Sequence, residues 1–188
     1  MNNYDVIVIG GGHAGCEAAA AAARIGSKTL LVTMNLQTIG QMSCNPAMGG
    51  VAKGQIVREI DALGGFSGKI ADRTAIQFRM LNKSKGAAMW SPRVQSDRMQ
   101  FATMWRETLE SIASLDFIQG TAESLLVEGS AIRGITLSNG QDIFATSVIL
   151  TSGTFLNGVI HVGENQYSGG RSGEIAATGI TASLMGLG

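Results

Sequence analysis

An α/β fold with a mostly parallel sheet, plus an added β-hairpin or meander, is what this sequence predicts, on three observations. A β-branched run, Asp5-Val6-Ile7-Val8-Ile9, ends in Gly10-Gly11-Gly12, which is how a strand buried on both faces of a parallel sheet reads. An alanine-rich segment from His13 to Ile25 follows and stops at Gly26, the pattern of a helix with a glycine just past its end. Further on, Asn139-Gly140 separates two alternating runs, the strongest short-range hairpin signal.

The remaining elements follow in order. Lys28 to Thr33 (KTLLVT) is a second buried strand, and the two strands with their helix make one βαβ unit whose crossover is expected to be right-handed. Met34 to Gly54 is rich in Gly, Asn, Ser and Met without any period; it is too long for an idle connection and is expected to carry function. Between Lys53 and Leu63 the residues Ile56, Val57, Ile60 and Leu63 recur at helical spacing before Gly64-Gly65, which predicts a helix. Ser96-Asp97 opens another, running to about Ser114, with Met99, Phe101, Met104, Trp105, Leu109 and Ile112 available for its buried face. Strands are expected at Asp116 to Gln119, Ala122 to Glu128, Ala131 to Leu137 and Asp142 to Thr151, with a turn at Ser138-Asn139-Gly140. A glycine-rich loop from Tyr167 to Gly173 precedes an expected helix from Ile175 to Leu187.

Composition narrows the function classes. The 188 residues are 45% hydrophobic, with 2 Cys, 2 Pro and 26 Gly, which excludes a disordered chain, a collagen and a disulfide scaffold together. Charged residues make up 15%, below the roughly 25% of an average domain, so a partner surface or further chain is expected to cover apolar area. Two cysteines, Cys16 and Cys44, cannot build a secreted framework, and no leader pattern stands at the N-terminus, so the protein reads as cytoplasmic. The longest stretch of small apolar residues, Ala14 to Ile25, contains Cys16, Glu17 and Arg24 and falls far short of the ~20 residues that span a bilayer. Net charge is zero, yet Lys69, Arg73, Arg79, Lys83, Lys85, Arg93, Arg98 and Arg106 lie in one stretch with only Asp72 and Asp97. That stretch is either an anion-facing surface or a solvated basic face.

Gly10-Gly11-Gly12-His13-Ala14-Gly15 fits G-x-G-x-x-G, directly after a predicted strand and opening a predicted helix. In that Rossmann-like context Gly10 permits the tight turn, Gly12 the approach of a pyrophosphate, and Gly15 close helix packing, while the helix N-terminus offers amides and partial positive charge. The end of the second strand departs from type. Thr33, followed by Met34 and Asn35, stands where an acid would grip a ribose, so ribose recognition is expected to be neutral or supplied elsewhere. Gly153 and Thr154, after the last predicted strand, join Thr33 as candidate cofactor contacts.

Met42-Ser43-Cys44-Asn45-Pro46-Ala47-Met48-Gly49-Gly50-Val51-Ala52-Lys53-Gly54 is the most unusual segment. Cys44 lies in a loop where glycines, a helix start and Lys53 could lower a thiol pKa, or it is an inert gap-filler; Cys16, inside the alanine helix, takes the inert reading. Cys44 and Cys16 with His13 and His161 show no zinc-ligand spacing, so no metal site is expected. Neither His13 nor His161 is assigned as a catalytic base.

The runs GGGHAGCEAA, QMSCNPAMGGVAKGQIVREIDALGG, IQFRMLNKSKGAAMWSPRVQSDR, GTFLNGVIHVG and YSGGRSGE together resemble the N-terminal FAD-binding portion of the tRNA uridine 5-carboxymethylaminomethyl modification enzymes, the MnmG/GidA family. The resemblance covers essentially the whole chain, so residues 1–188 are expected to be one FAD-binding domain from a longer enzyme. It implies a flavoenzyme that, with a GTPase partner of the MnmE family, modifies the wobble uridine of certain tRNAs at C5. Such enzymes use FAD, NADH as reductant and methylenetetrahydrofolate as one-carbon donor, and act as homodimers in the cytoplasm.

Carried over to this chain, the resemblance implies that Gly10 to Gly15 hold the FAD pyrophosphate and that Ala122 lies by the adenine. Cys44 matches the redox or nucleophilic cysteine of SCNPA, and Lys85 and Arg93 fall in basic stretches facing tRNA. Ala87 departs from the family pattern, where proline usually follows SKG, and so does Ala176-Ala177, where prolines and a serine are common. A different two-domain flavoprotein oxidoreductase, a folate-dependent tRNA methyltransferase relative, or a catalytically silent FAD-binding or partner-docking fragment are the other readings.

Overall fold

In the computed structural model, residues 3–43, 45–171 and 173–187 are described, and they form two compact units. One comprises residues 1–37 with 114–188, the other residues 38–113.

The first unit starts with β1 (Asn3–Ile9), α1 (His13–Arg24) and β2 (Thr29–Thr33). It resumes with β6 (Leu115–Gln119), β7 (Ala122–Glu128), β8 (Ala131–Leu137), β9 (Asp142–Leu150), β10 (Val159–Val162), β11 (Asn165–Ser168) and α5 (Gly179–Met185). Six strands form one sheet in the order β6-β2-β1-β9-β8-β7. β1 runs parallel to both β2 and β9, with Ile7 beside Leu30 on one side and Val148 on the other, and β2 runs parallel to β6. The first residues of β9 pair antiparallel with β8, which pairs antiparallel with β7. The parallel sheet and the meander are therefore joined through one long strand, β9.

Alternation along these strands sets the layers. Ile7, Ile9, Leu30 and Val32 cluster with Ile135, Leu137, Ile143, Ala145 of the meander and Ile180 of α5. Val8 and Leu31, one residue out of phase and equally buried, must point to the opposite face, where the buried Ala19, Ala20, Ala22 and Ala23 of α1 pack. Small side chains on α1 bring the helix close to the strands. The large aliphatics on the other face supply most of the apolar burial, at about 2 kcal/mol for each fully buried side chain. At the far end of the sheet the Tyr4 hydroxyl donates to Asp116 Oδ2 at 3.0 Å, and burial, then that bond and the Asp116 charge, raise the Tyr4 pKa.

The hairpin turn forms as expected. Gly140 takes φ +83°, its amide bonds the Leu137 carbonyl at 2.8 Å, and Asn139 Oδ1 accepts from the Gln141 amide at 3.0 Å. The C-terminal helix is shorter than the predicted Ile175 to Leu187. Ala177 donates to the Phe155 carbonyl and accepts from the Asn157 amide, each at 2.9 Å, so its backbone bridges to a loop instead of entering a helix.

The second unit holds β3 (Ala47–Gly49), α2 (Lys53–Ala62), α3 (Ser67–Arg73), β4 (Ala75–Leu81), β5 (Ser91–Ser96) and α4 (Arg98–Glu110). Its antiparallel sheet has the order β3-β5-β4. α4 begins where Ser96-Asp97 predicted, because Asp97 Oδ1 accepts from the amides of Met99 and Gln100 at 2.9 Å each, satisfying two donors that the first turn leaves without helical partners. Of its expected buried face, Phe101, Trp105 and Leu109 are fully buried while Met99 is exposed. The Phe66 and Trp105 rings meet in a T-shaped arrangement with centroids 6.4 Å apart. The apolar stripe predicted for α2 is not a buried face: Ile56 and Leu63 are exposed, and Gly54 alone on that helix is buried. Among the described residues no helix is long and apolar enough to cross a membrane.

Ala52, at the start of α2, has φ 63° and ψ −50°, and the Lys53 amide closes on the Val51 carbonyl at 2.8 Å. This is a γ-turn of the strained hand. A side chain held there costs about 1–3 kcal/mol, whereas glycine costs about 0.5–1 kcal/mol of extra chain entropy. Ala52→Gly is therefore expected to raise stability by about 1 kcal/mol, seen as a higher urea midpoint with unchanged slope. An unchanged or lower midpoint would remove the strain argument.

Candidate functional site

The parallel strands β1, β2, β6 and β9 all deliver their following loops to one end of the first unit's sheet: Gly10 to Gly12, Thr33 to Asn35, Gln119 to Thr121, and Thr151 to Gly153. Connections leave β1 to one side through β2 and meet β9 on the other, so the switch point of the sheet lies between β1 and β9, where open α/β sheets take their ligands.

The glycine loop is built by close contacts. Gly10, at φ +110°, donates its amide to the Val32 carbonyl at 2.8 Å. Thr151 crosses from the end of β9: its amide bonds the Ile9 carbonyl at 2.9 Å, and its hydroxyl reaches the carbonyls of Ile9 at 2.8 Å and Gly10 at 3.1 Å. A Cβ on Gly10 would fall 2.6 Å from the Thr151 carbonyl oxygen, and one on Gly15 only 1.7 Å from the Gly10 carbonyl oxygen. Gly12 differs, for nothing lies within 4 Å of a Cβ added there. Gly10 and Gly15 are thus fixed by the protein's own packing, while Gly12 faces open space.

Gly12 is also the N-cap of α1, without a side-chain cap and with no acid in the first turn. The Cys16 amide already bonds the Gly12 carbonyl at 2.9 Å, so the helix is formed up to its first residue, and the Cys16 thiol, buried, reaches the Gly11 carbonyl at 3.5 Å. His13 is half-buried and Ala14 exposed in that first turn. An uncapped helix start, free of carboxylates and with clear space before it, fits an anionic pyrophosphate by both its amides and its partial charge. The residues present therefore suit a dinucleotide cofactor such as FAD.

The other predicted contacts take different roles. Thr33 is buried, and its hydroxyl lies 3.5 Å from the Asn35 carbonyl; Asn35 Oδ1 accepts from the Gln37 amide at 2.8 Å. Both side chains hold the turn after β2, and no acid stands there. The Gly120 amide bonds the Thr33 carbonyl at 2.9 Å, which ties the buried Ala122, at the start of β7, to the end of β2. Gly153 is exposed at φ +56°. The Thr154 hydroxyl donates to the Gly170 carbonyl at 2.8 Å, so it anchors the glycine-rich loop, which the Arg171–Glu174 pair at 3.1 Å also braces.

Cys44 lies outside the described residues. Lys85 is exposed in a short 3-10 turn of the second unit, and Arg93 sits on β5 directly opposite Arg79. Sequence reasoning missed Thr151, whose signal was a hydroxyl residue immediately after the apolar run Val148-Ile149-Leu150 and before Ser152-Gly153. Among the described residues no group of three or more His, Cys, Asp or Glu side chains gathers to hold a metal ion.

Comparison with known proteins adds identity to geometry. The family model described as glucose inhibited division protein A matches residues 5–188. The tRNA uridine 5-carboxymethylaminomethyl modification enzyme MnmG of Flavobacterium johnsoniae is 68% identical over 188 residues, which cover all of this chain and 30% of that protein. The crystal structure of Aquifex aeolicus GidA superposes with a TM-score of 0.93 at 47% identity, over 98% of this chain and 31% of that one. The GidA-related protein from Thermus thermophilus, at 21% identity and a TM-score of 0.70 over 98% of this chain and 68% of that one, shares the fold. This chain spans about 30% of the length of the curated relatives it matches.

Proposed function

This chain belongs to the glucose inhibited division protein A family, and from that footing we propose that it is the flavin-binding portion of an enzyme that builds the 5-carboxymethylaminomethyl group at C5 of the wobble uridine in tRNA. The observation that carries the reading is the uncapped start of α1 behind Gly12, open to an anion at the switch point of a parallel sheet. The relatives are named as tRNA uridine modification enzymes, which supplies the substrate class.

In this reading the amides of the Gly10–Gly15 loop bind the pyrophosphate of FAD, and Thr151 keeps the loop rigid by holding the Ile9 and Gly10 carbonyls. Thr33 and Ala122 shape the ground beside the ribose and adenine without charge. Gly153, with no side chain, lets the backbone after β9 come near the flavin end, while Thr154 holds the neighbouring loop in place. Bound FAD supplies hydride transfer, which no side chain can. Cys44 acts as the thiolate. Its addition to C6 of the uracil ring makes C5 nucleophilic, and loss of the C5 proton later lets the sulfur leave. NADH as reductant, methylenetetrahydrofolate as one-carbon donor, a GTPase partner and assembly as a homodimer in the cytoplasm belong to the same proposal for the whole enzyme. Residues 1–188 then form its FAD-binding domain.

The test is the visible absorbance of the purified chain, followed by titration with FAD. Flavin bands that co-purify, or saturable FAD binding, are expected. A chain that remains colourless and does not bind added FAD would sink the flavin assignment for these residues.

A further inference from the structure

The hairpin of β4 and β5 sets two arginines side by side. Arg79 is the direct cross-strand partner of Arg93, so both side chains rise from the same face of the sheet with their Cβ atoms about 5 Å apart. Like charges directly opposite one another destabilise a strand pair. Yet neither guanidinium meets a carboxylate among the described residues, where the ion pairs include Arg106–Glu110, Arg133–Glu128 and Arg171–Glu174. Arg79 is exposed and Arg93 half-buried.

The surroundings on that face leave the charge standing. The next same-face pair is Gln77 with Gln95, and the pair on the other side is Leu81 with Ser91, so no acid flanks the arginines and two amides extend the set of donors. On the far side of β5 the residue opposite Arg93 is Gly49, which has no side chain to crowd it. The loop closing the hairpin carries the exposed Lys83 and Lys85. It is folded, with the Trp90 indole N–H donating to the Lys83 carbonyl at 3.2 Å and the Lys85 amide to the Asn82 carbonyl at 3.0 Å. The whole second unit holds ten Lys and Arg against six Asp and Glu, a surplus of four positive charges.

We propose that Arg79 and Arg93 together clamp one backbone phosphate of an RNA, with Lys83 and Lys85 continuing the track along the hairpin. Two planar guanidinium forks on one face can each donate to the oxygens of a single phosphate, and the anion removes the repulsion that the empty pair carries. The inference rests on the RNA substrate proposed above, and it names the place where this chain grips it.

The experiment measures binding of a fluorescein-labelled RNA stem-loop with a uridine-containing loop, by anisotropy across a KCl series. Arg79→Gln and Arg93→Gln are each expected to weaken binding about tenfold and to lower the salt slope by about 1. Because both hold the same phosphate, the double variant should lose little beyond either single one. Arg79→Lys, which keeps the charge and loses the fork, should fall between. In phosphate-free buffer at low salt the Gln variants should melt no lower than the unsubstituted chain, since repulsion is relieved, and this separates a lost contact from a lost fold.

Losses that multiply, with the slope falling twice, would assign the arginines to separate phosphates and overturn the clamp. RNA binding that all variants retain would overturn it too, and would leave the proposed function standing. Stabilisation by inorganic phosphate with no RNA binding would make the pair a small-anion site and refute the proposal. If the unsubstituted chain binds FAD but no RNA, the clamp falls together with the RNA role of this portion, and the flavin assignment survives.

Discussion

Gly15→Ala is expected to lower the stability of this chain by about 3 kcal/mol or more and to leave it unable to bind FAD. The new methyl group would lie 1.7 Å from the Gly10 carbonyl oxygen and 2.7 Å from the Thr151 hydroxyl oxygen. The first of these is backbone, which cannot swing aside as the end of a long side chain would. Relief requires α1 to move away from β1, or the loop to shift. Either motion strains the Gly10 bond to Val32 and the Thr151 bonds that tie β9 to β1. Overpacking in a dense site costs about 1–3 kcal/mol and sometimes more, and the contact here is shorter than a side-chain repacking can absorb. Against a typical total of about 5–15 kcal/mol, that loss is large. Urea unfolding would show it as a lower midpoint, and visible absorbance as a colourless protein. An unchanged midpoint would mean that helix and strand are not packed as closely as this geometry has them.

The parts of the fold that could be read from sequence are those where one local rule decides. Val6 to Ile9 before three glycines, alanines from Ala18 to Ala23, Asp97 before a mixed helix and Asn139-Gly140 between alternating runs each satisfy a short-range requirement of backbone or cap, and the elements stand where those residues put them. The glycine loop was readable for the same reason. What escaped depends on partners distant in sequence. Ile76-Gln77-Phe78-Arg79-Met80 does alternate, but β4 is an edge strand whose apolar residues Ile76 and Phe78 stay exposed. Its partner β5 also contains Pro92 and lies beyond a long loop, so neither looks like half of a hairpin. The β10–β11 ribbon turns at Gly163, at φ +60°, with little apolar contrast to announce its strands. The α2 stripe misled in the opposite direction, since helical spacing of Ile56, Val57, Ile60 and Leu63 tells that a helix forms and not what it packs against. Thr151 and the Arg79–Arg93 pair needed the register of non-adjacent strands, which no local pattern holds.

Gly12→Asp is expected to separate folding from cofactor binding. Its Cβ enters open space, and aspartate is among the best residues at a helix N-cap, so the variant should be as stable as the unsubstituted chain or more so, by up to about 1 kcal/mol. The same carboxylate stands where the pyrophosphate must come. Two unit charges about 4 Å apart repel by about 4 kcal/mol at the dielectric typical of a protein surface, and the side chain also fills the approach and takes up amides that a phosphate would use. Even with half of that repulsion lost to solvent and salt, FAD affinity should fall by about 30-fold from charge alone, and the lost amide contacts take the total beyond about 100-fold. Gly12→Ala, with the same backbone demand and no charge, should lose far less. The informative result is the pairing: Gly15→Ala reduces stability and binding together, whereas Gly12→Asp reduces binding while the melting temperature holds or rises. A folded Gly12→Asp protein that still carried yellow flavin would place the pyrophosphate away from this helix, and the function proposed for the chain would lose the observation on which it stands.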